Sequence, residues 1–299
     1  MSPLETAAAL TVALVWGVQF IAIKYGVDAF PPLFFVTLRF VAVAAILLPF
    51  AGRPSRRDLW AAALISIFFG GLCFGLIYIG IHLGLVGLSS VITQLMTPFT
   101  VLFAWPLLGE RPTLRVTIGL VVACTGVALA MAAPAGSVSA VAVLLVMAGA
   151  AAQAFGNVLI KQLGPFDAVR LMAWMSLFTV PQVGLASAFL ETGQMAALRT
   201  TDPLAWLSLG YTVVFGAIVG FGLWFWLIGR RPLARVAPFA LLQTVFAIAA
   251  GVFFLHEAAG LLLLAGAATC MAGVLVTQLG SAAGEPTVSR PGALRGEPP

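Results

Sequence analysis

The sequence predicts an all-α integral membrane protein, with ten transmembrane helices arranged as two inverted-topology repeats of five. Three observations carry this reading. Charge is scarce: of 299 residues, 62% are hydrophobic and only 8% are charged, whereas average soluble domains are about 25% charged. The few charges are spaced like bilayer crossings. Residues in the two halves of the chain also recur in register. A soluble globule needs a charged skin that this chain cannot supply. The same numbers exclude an ordinary soluble enzyme, a disulfide scaffold, a disordered-tail protein and a nucleic-acid binder. A β-barrel would alternate apolar and polar residues in segments of about ten, and the long unbroken apolar runs here do not.

A helix needs about 20 residues to cross the hydrocarbon core, and the charges divide the chain accordingly. The first span lies in the 18 uncharged residues between Glu5 and Lys24. It has no basic leader and is expected to remain as a span. The second runs from Pro31-Pro32 to Pro49, interrupted only by Arg39. The third and fourth share 51 uncharged residues between Asp58 and Glu110, and the fifth and sixth share 45 between Arg115 and Lys161. The seventh fills the 20 residues from Arg170 to Glu191, and the eighth the 27 from Asp202 to Arg230. The ninth occupies 21 between Arg235 and Glu257, and the tenth lies within 27 between Glu257 and Glu285. After Gln278 the composition shifts to Gly, Pro and Ser, which predicts a disordered cytoplasmic tail over 280–299. Cys73, Cys124 and Cys270 all sit in apolar stretches and read as small packing residues.

The cations orient the chain. With the N-terminus cytoplasmic, the inside-facing segments hold Arg53, Arg56, Arg57, Arg111, Arg115, Lys161, Arg170, Arg230, Arg231, Arg235, Arg290 and Arg295. Only Lys24 and Arg199 face outside, and Arg39 lies within a span. This positive-inside bias places both termini of a multi-pass protein, surrounded by lipid, in the cytoplasm.

A division near Pro134 separates a first repeat, 1–133, from a second, 134–279. Glu110, Leu114, Gly119, Gly126 and Val127 match Glu257, Leu261, Gly266, Gly273 and Val274, every pair 147 residues apart. Trp60, Phe69 and Gly70 match Trp206, Phe215 and Gly216 at an offset of 146, with Tyr78 falling opposite Trp224. Lys24 and Lys161 match at 137. Five is odd, so the halves must cross the membrane in opposite directions. Inverted repeats are characteristic of secondary transporters, with substrate held near the midplane between the halves. Channels also contain repeats, which leaves carrier and pore both open.

Much chemistry is absent. Lys24 and Lys161 are the only lysines and neither follows a phosphate-binding glycine loop, so no ATP hydrolysis is expected. There is no Gly-x-Ser-x-Gly elbow. His82 and His256 are far apart, and no metal or cofactor is expected. The ten acidic residues fall at helix ends, in loops or in the tail. Proton-driven transporters usually carry an intramembrane Asp, Glu or His, and lacking one, the chain reads as a facilitator.

Candidate substrate-binding residues follow from depth and polarity. Trp16 lies halfway along the first helix, and its repeat partner is Gln153, midway in the sixth. An indole face and an amide would suit an aromatic or amphipathic substrate. Packing and interhelical hydrogen bonding explain them as well. Gln19, Gln94, Asn157 and Gln243 are the other deep amides, each either a substrate ligand or interhelical glue. An uncharged pocket of amides and aromatics points to a neutral or zwitterionic substrate. Tyr78 and Trp224 form an outer and inner pair, read either as gates or as members of the interfacial aromatic belt. His82, one turn beyond Tyr78, meets substrate or headgroup water. Lys24 and Lys161 suit snorkelling at span ends. Arg39, eight residues into its helix, holds a substrate carboxylate or pairs with Asp28. Gly70, Gly71, Gly75, Gly216, Gly220, Gly222 and Pro98 would permit close packing and bending.

The stretch Tyr78 to Leu129, with Ser89-Ser90, Pro98, Gly109-Glu110-Arg111, Gly119 and Gly126-Val127, resembles the drug/metabolite transporter superfamily, in the branch with two EamA-type repeats. Arg235 to Val276 is similar to the same signature, and the resemblance covers about residues 5–279. The family's ninth-helix proline would fall at Val245, whereas this chain has Pro238. Within the family the chain resembles YddG-type exporters. The resemblance implies export of aromatic and other neutral amino acids across the bacterial inner membrane by alternating access, by a monomer, with no enzymatic activity and no nucleic-acid partner. The family also contains exporters of other small metabolites and lipophilic drugs. A channel or an intramembrane enzyme is the alternative from another class.

Overall fold

The computed structural model describes residues 1–109, 111–132, 139–200, 202–228, 230–231 and 233–282. The regular structure among them is helical throughout. In chain order the long helices are α1 (Pro3–Ala29), α2 (Pro32–Phe50), α3 (Arg56–Leu83), α4 (Val86–Leu108), α5 (Leu114–Met131), α6 (Ala140–Leu163) and α7 (Ala168–Leu190). Then come α8, from Pro203 to Ile228, α9 (Leu233–Leu255) and α10 (Leu261–Ala282). Among the described residues, eight helices, α1 to α8, are long and apolar enough to cross a membrane, and the apolar stretches Phe239–Leu255 and Leu261–Thr277 are shorter. A short helix, Gln194–Thr200, stands between α7 and α8, where spacing gave no hint of one. Helix α10 continues through Ala282, past the expected boundary at 279. Glu110, Pro134 and the tail from 283 onward lie outside the described residues.

The helix ends follow local chemistry. Ser2 and Glu5 form a capping box at α1, and Ser55 and Asp58 form another at α3. Each joins a hydroxyl and a carboxylate to two otherwise orphaned N–H groups. Large apolar side chains such as Phe189, Leu190, Phe253 and Leu261 stand exposed, a surface that lipid rather than water would cover.

Helix α4 is broken. Regular helix stops at Thr93 and resumes at Met96. Pro98 has no N–H to give the Gln94 carbonyl four residues earlier, and the Thr97 N–H takes that carbonyl instead, at 3.2 Å. The bend expected from Pro98 therefore falls just before it. Two π-helical segments interrupt α3 at Ser66–Leu72 and α8 at Thr212–Val219. They begin 146 residues apart, the same offset that aligns Trp60, Phe69 and Gly70 with Trp206, Phe215 and Gly216.

Glycines set the closest helix contacts, as expected where apolar surface gives no driving force between helices. Helices α5 and α10 cross through four of them. A Cβ on Gly119 would lie 2.6 Å from the Gly273 carbonyl, and one on Gly273 would lie 2.6 Å from the Gly119 carbonyl. Gly126 and Gly266 make the same reciprocal approach. Gly17 lets α1 approach the α9 backbone at Gln243, and Gly80 and Gly149 do so between α3 and α6.

Polar contacts gather at the two ends of the bundle. At the end holding the α1–α2 turn, Lys24 Nζ donates to Asp28 at 3.0 Å, and His82 Nδ1 lies 3.2 Å from the same carboxylate. Glu191 accepts the N–H groups of Leu33 and Phe34, capping α2, and Glu257 accepts those of Val86 and Gly87, capping α4. At the opposite end, holding the α6–α7 turn, Arg231 pairs with Glu5 at 2.9 Å and Arg170 with Asp58 at 3.7 Å. Arg57 donates to the Leu163 carbonyl there.

Candidate functional site

A cavity of about 610 Å³ opens between α2, α3, α6, α7 and α8. It extends from Arg39 in the bundle interior to exposed Lys161 and Pro165 at the α6–α7 turn. Its walls are apolar: Phe40 and Val43 from α2, Phe69 and Phe74 from α3, Leu171, Met172 and Met175 from α7, and Phe221 from α8. Both π segments contribute to the lining, through Phe69 and Ala217. π-Bulges frequently accompany functional sites because they re-aim side chains and loosen backbone carbonyls.

Arg39 is the chemical centre of this space. It is 2% exposed, and its guanidinium carbon stands 4.3 Å from the Phe74 ring centroid and 5.3 Å from that of Phe40. A guanidinium carries five N–H donors. Here Nε donates over a long 3.5 Å to the Thr212 carbonyl, at the start of the α8 π segment, and Nη1 has no hydrogen-bond partner. In the other half, Gln182 of α7 donates to the Ser66 hydroxyl at the start of the α3 π segment. The first residue of each π segment thus accepts a hydrogen bond, Thr212 by its backbone carbonyl from a cation and Ser66 by its side-chain hydroxyl from a neutral amide. Asp28 pairs with Lys24 and His82, so the Arg39–Asp28 pairing held open from sequence does not form. Ser176 also lines the cavity, and its buried hydroxyl has no hydrogen-bond partner.

The structure distributes the other sequence-derived candidates widely. Trp16 Nε1 donates to the Gly216 carbonyl at 3.1 Å, and its ring packs against Phe221 and Trp224 at centroid distances of 5.3 and 5.6 Å. Gly220, without a side chain, leaves room for that indole. Tyr78 is fully buried against Phe35 and Phe74, not at an interface, and its hydroxyl lies beside Gln19 without completing a well-formed hydrogen bond. Gln94 donates to the Thr244 hydroxyl at 2.7 Å, tying α4 to α9. Gln153, Asn157 and Gln243 are half-buried, and none of the three lines the cavity. His82 and Lys24 belong to the Asp28 cluster at the end far from the α6–α7 turn. Of the candidate residues, only Arg39 lines the cavity, joined there by Lys161. Sequence reasoning passed over Ser176, Phe74, Phe221 and Met175. Ser176 carried a signal, a hydroxyl midway along an uncharged run. The apolar residues carried none, because apolar residues dominate every helix.

The family's model matches twice, at residues 4–132 and again at 140–279. The chain belongs to the EamA-like transporter family. It is a membrane transporter and not an enzyme. A relative from Salmonella typhimurium, named "Probable amino-acid metabolite efflux pump", is 32% identical over 290 residues, covering 94% of this chain and 96% of the relative. The protein of the same name from Escherichia coli is 30% identical with the same coverage. An uncharacterized transporter of Bacillus subtilis, YvbV, is 30% identical over 88% of each chain. A crystal structure related at 19% identity superposes over 95% of this chain and all of its own, with a TM-score of 0.62, which speaks to the fold alone.

Proposed function

We propose that the protein exports aromatic and other neutral amino acids across the bacterial inner membrane, by alternating access and without ATP. The carrying observation is the cavity itself: an apolar, aromatic-lined space that reaches one end of the bundle and holds a buried guanidinium at its depth. Arg39 is suited to a substrate carboxylate, since guanidinium–carboxylate pairs form charge-assisted, often bidentate hydrogen bonds. The rings of Phe40, Phe69, Phe74 and Phe221 suit an aromatic side chain. Relatives named as amino-acid metabolite efflux pumps support the same substrate class.

The architecture we propose is ten transmembrane helices in two inverted repeats. The double family match and the reciprocal glycine contacts of α5 and α10 both support it. Register carries Gly119 to Gly266 and Gly126 to Gly273, while the contacts join Gly119 to Gly273 and Gly126 to Gly266. Such an exchange is what a pseudo-two-fold axis between antiparallel helices generates. With both termini cytoplasmic, as the cations favour, the cavity faces the cytoplasm, and the Lys24–Asp28–His82 and Glu257 contacts close the outer end. Among the described residues no carboxylate lines the cavity, which disfavours a lipophilic cation as substrate.

Proteoliposomes containing only this protein and loaded with labelled amino acids test the proposal. Saturable efflux of phenylalanine or threonine is expected. A flat panel, or transport that follows an imposed proton gradient after correction for voltage, would overturn it.

A further inference from the structure

We infer that the cavity reads a carboxylate and an apolar body but does not read an α-ammonium group, so that amphipathic monocarboxylates occupy it more tightly than zwitterionic amino acids. The inference rests on the proposal that this cavity is the transport site. Its first support is the set of charges. Arg39 lies at the depth and Lys161 at the mouth, and no Asp or Glu is among the described lining residues. The carboxylates at the two bundle ends are already engaged. Asp28 holds Lys24, Glu191 and Glu257 cap helices, Asp167 and Asp202 cap α7 and α8 through the N–H groups of Arg170 and Leu204, Asp58 meets Arg170 and Glu5 meets Arg231. Among the described residues, an ammonium entering the cavity would find no carboxylate in the lining, and Asp167 beside the mouth is already held as the cap of α7.

The Ser176 hydroxyl is a free neutral acceptor in the lining but carries no charge to balance an ammonium, and two carbonyls of the neighbouring π segment are taken. In α8 the π segment presents the Thr212 and Gly216 carbonyls, and these accept from Arg39 Nε and Trp16 Nε1. The aromatic faces nearest the depth, Phe40 and Phe74, already stack on the Arg39 guanidinium, and a second cation there would meet the first. Burying a charge without a partner is costly. One carboxylate beside Arg39 leaves the pair neutral, whereas a zwitterion reintroduces a positive charge with nowhere to place it. The rings and methionines accept an aryl or branched alkyl body, and the Ser176 hydroxyl can meet an amide or hydroxyl in place of the amine.

Competition binding to the full-length purified protein in lipid nanodiscs decides this, with 3-phenylpropionate, N-acetylphenylalanine, phenylalanine and phenethylamine as probes. The two monocarboxylates are expected to bind roughly tenfold or more tightly than phenylalanine, since one uncompensated charge readily exceeds the tenfold increment in free energy. Phenethylamine is expected not to compete. The Arg39→Gln variant should lose the preference for the monocarboxylates; if that variant does not fold, the wild-type series decides alone. Phenylalanine binding as tightly as 3-phenylpropionate would overturn this inference while leaving amino acid export intact. Failure of every carboxylate to bind would overturn both.

Discussion

Glu257 shows how much one side chain can organise. Its carboxylate leaves the end of α9 and accepts two backbone N–H groups, from Val86 at 2.6 Å and Gly87 at 2.9 Å. The N-terminus of a helix attracts negative charge because its first N–H groups point outward unpaired. Glu257→Gln keeps one acceptor and removes the charge, and should destabilise the protein by about 1–2 kcal/mol. Thermal unfolding in detergent checks this, and an unchanged midpoint would contradict it. The sequence placed Glu257 at a helix end but could not say what it caps, because the partner lies 171 residues away. Arg39 was legible for the same reason that Phe74 was not: a charge deep in an apolar run stands out, and one phenylalanine among 22 does not. The deep amides kept two readings open in the sequence, since a polar group in the membrane finds a partner on the next helix as readily as in a cavity, as Gln94 does with Thr244.

At the level of the helices, the π segments of α3 and α8 deserve a direct experiment. Inside the first, Gly70 packs against Thr179 of α7 so closely that a Cβ would overlap the threonine hydroxyl. Gly70→Ala should therefore cost about 1–3 kcal/mol, the usual range for overpacking. Adding Thr179→Ala should return part of that loss, because it removes the hydroxyl and methyl that the new Cβ meets. Additive losses in the double variant, read from unfolding midpoints, would contradict the contact. The register of Phe69 and Gly70 with Phe215 and Gly216 located this pair of segments in the sequence. Their π geometry was not legible, because local propensity does not distinguish one extra residue per turn from an ordinary helix. The break in α4 was closer to legible, since Pro98 dictates which carbonyl goes unpaired and hence where the turn must tighten. The short helix Gln194–Thr200 left no trace in a reading built on charge spacing.

For the molecule as a whole, charge spacing marked out the long helices because water and lipid segregate charged residues so strongly. Which helices touch was decided by small residues, and these became legible only where two halves could be compared, as at Gly119, Gly126, Gly266 and Gly273. The cavity between five helices was beyond that comparison, since its lining comes from both halves unequally. That inequality has an electrical consequence. With no Asp or Glu among the described lining residues, the fixed cation at Arg39 favours a monocarboxylate over a net-neutral zwitterion on the inference above, and each monocarboxylate exported would move one negative charge outward. A cell interior held 100 mV negative favours that exit by about 2.3 kcal/mol, enough for roughly a fiftyfold gradient. Membrane voltage would then do what ATP or a proton relay does elsewhere. In proteoliposomes given a potassium diffusion potential with valinomycin, an interior-negative voltage should accelerate efflux of N-acetylphenylalanine, and equal rates with and without the voltage would contradict it.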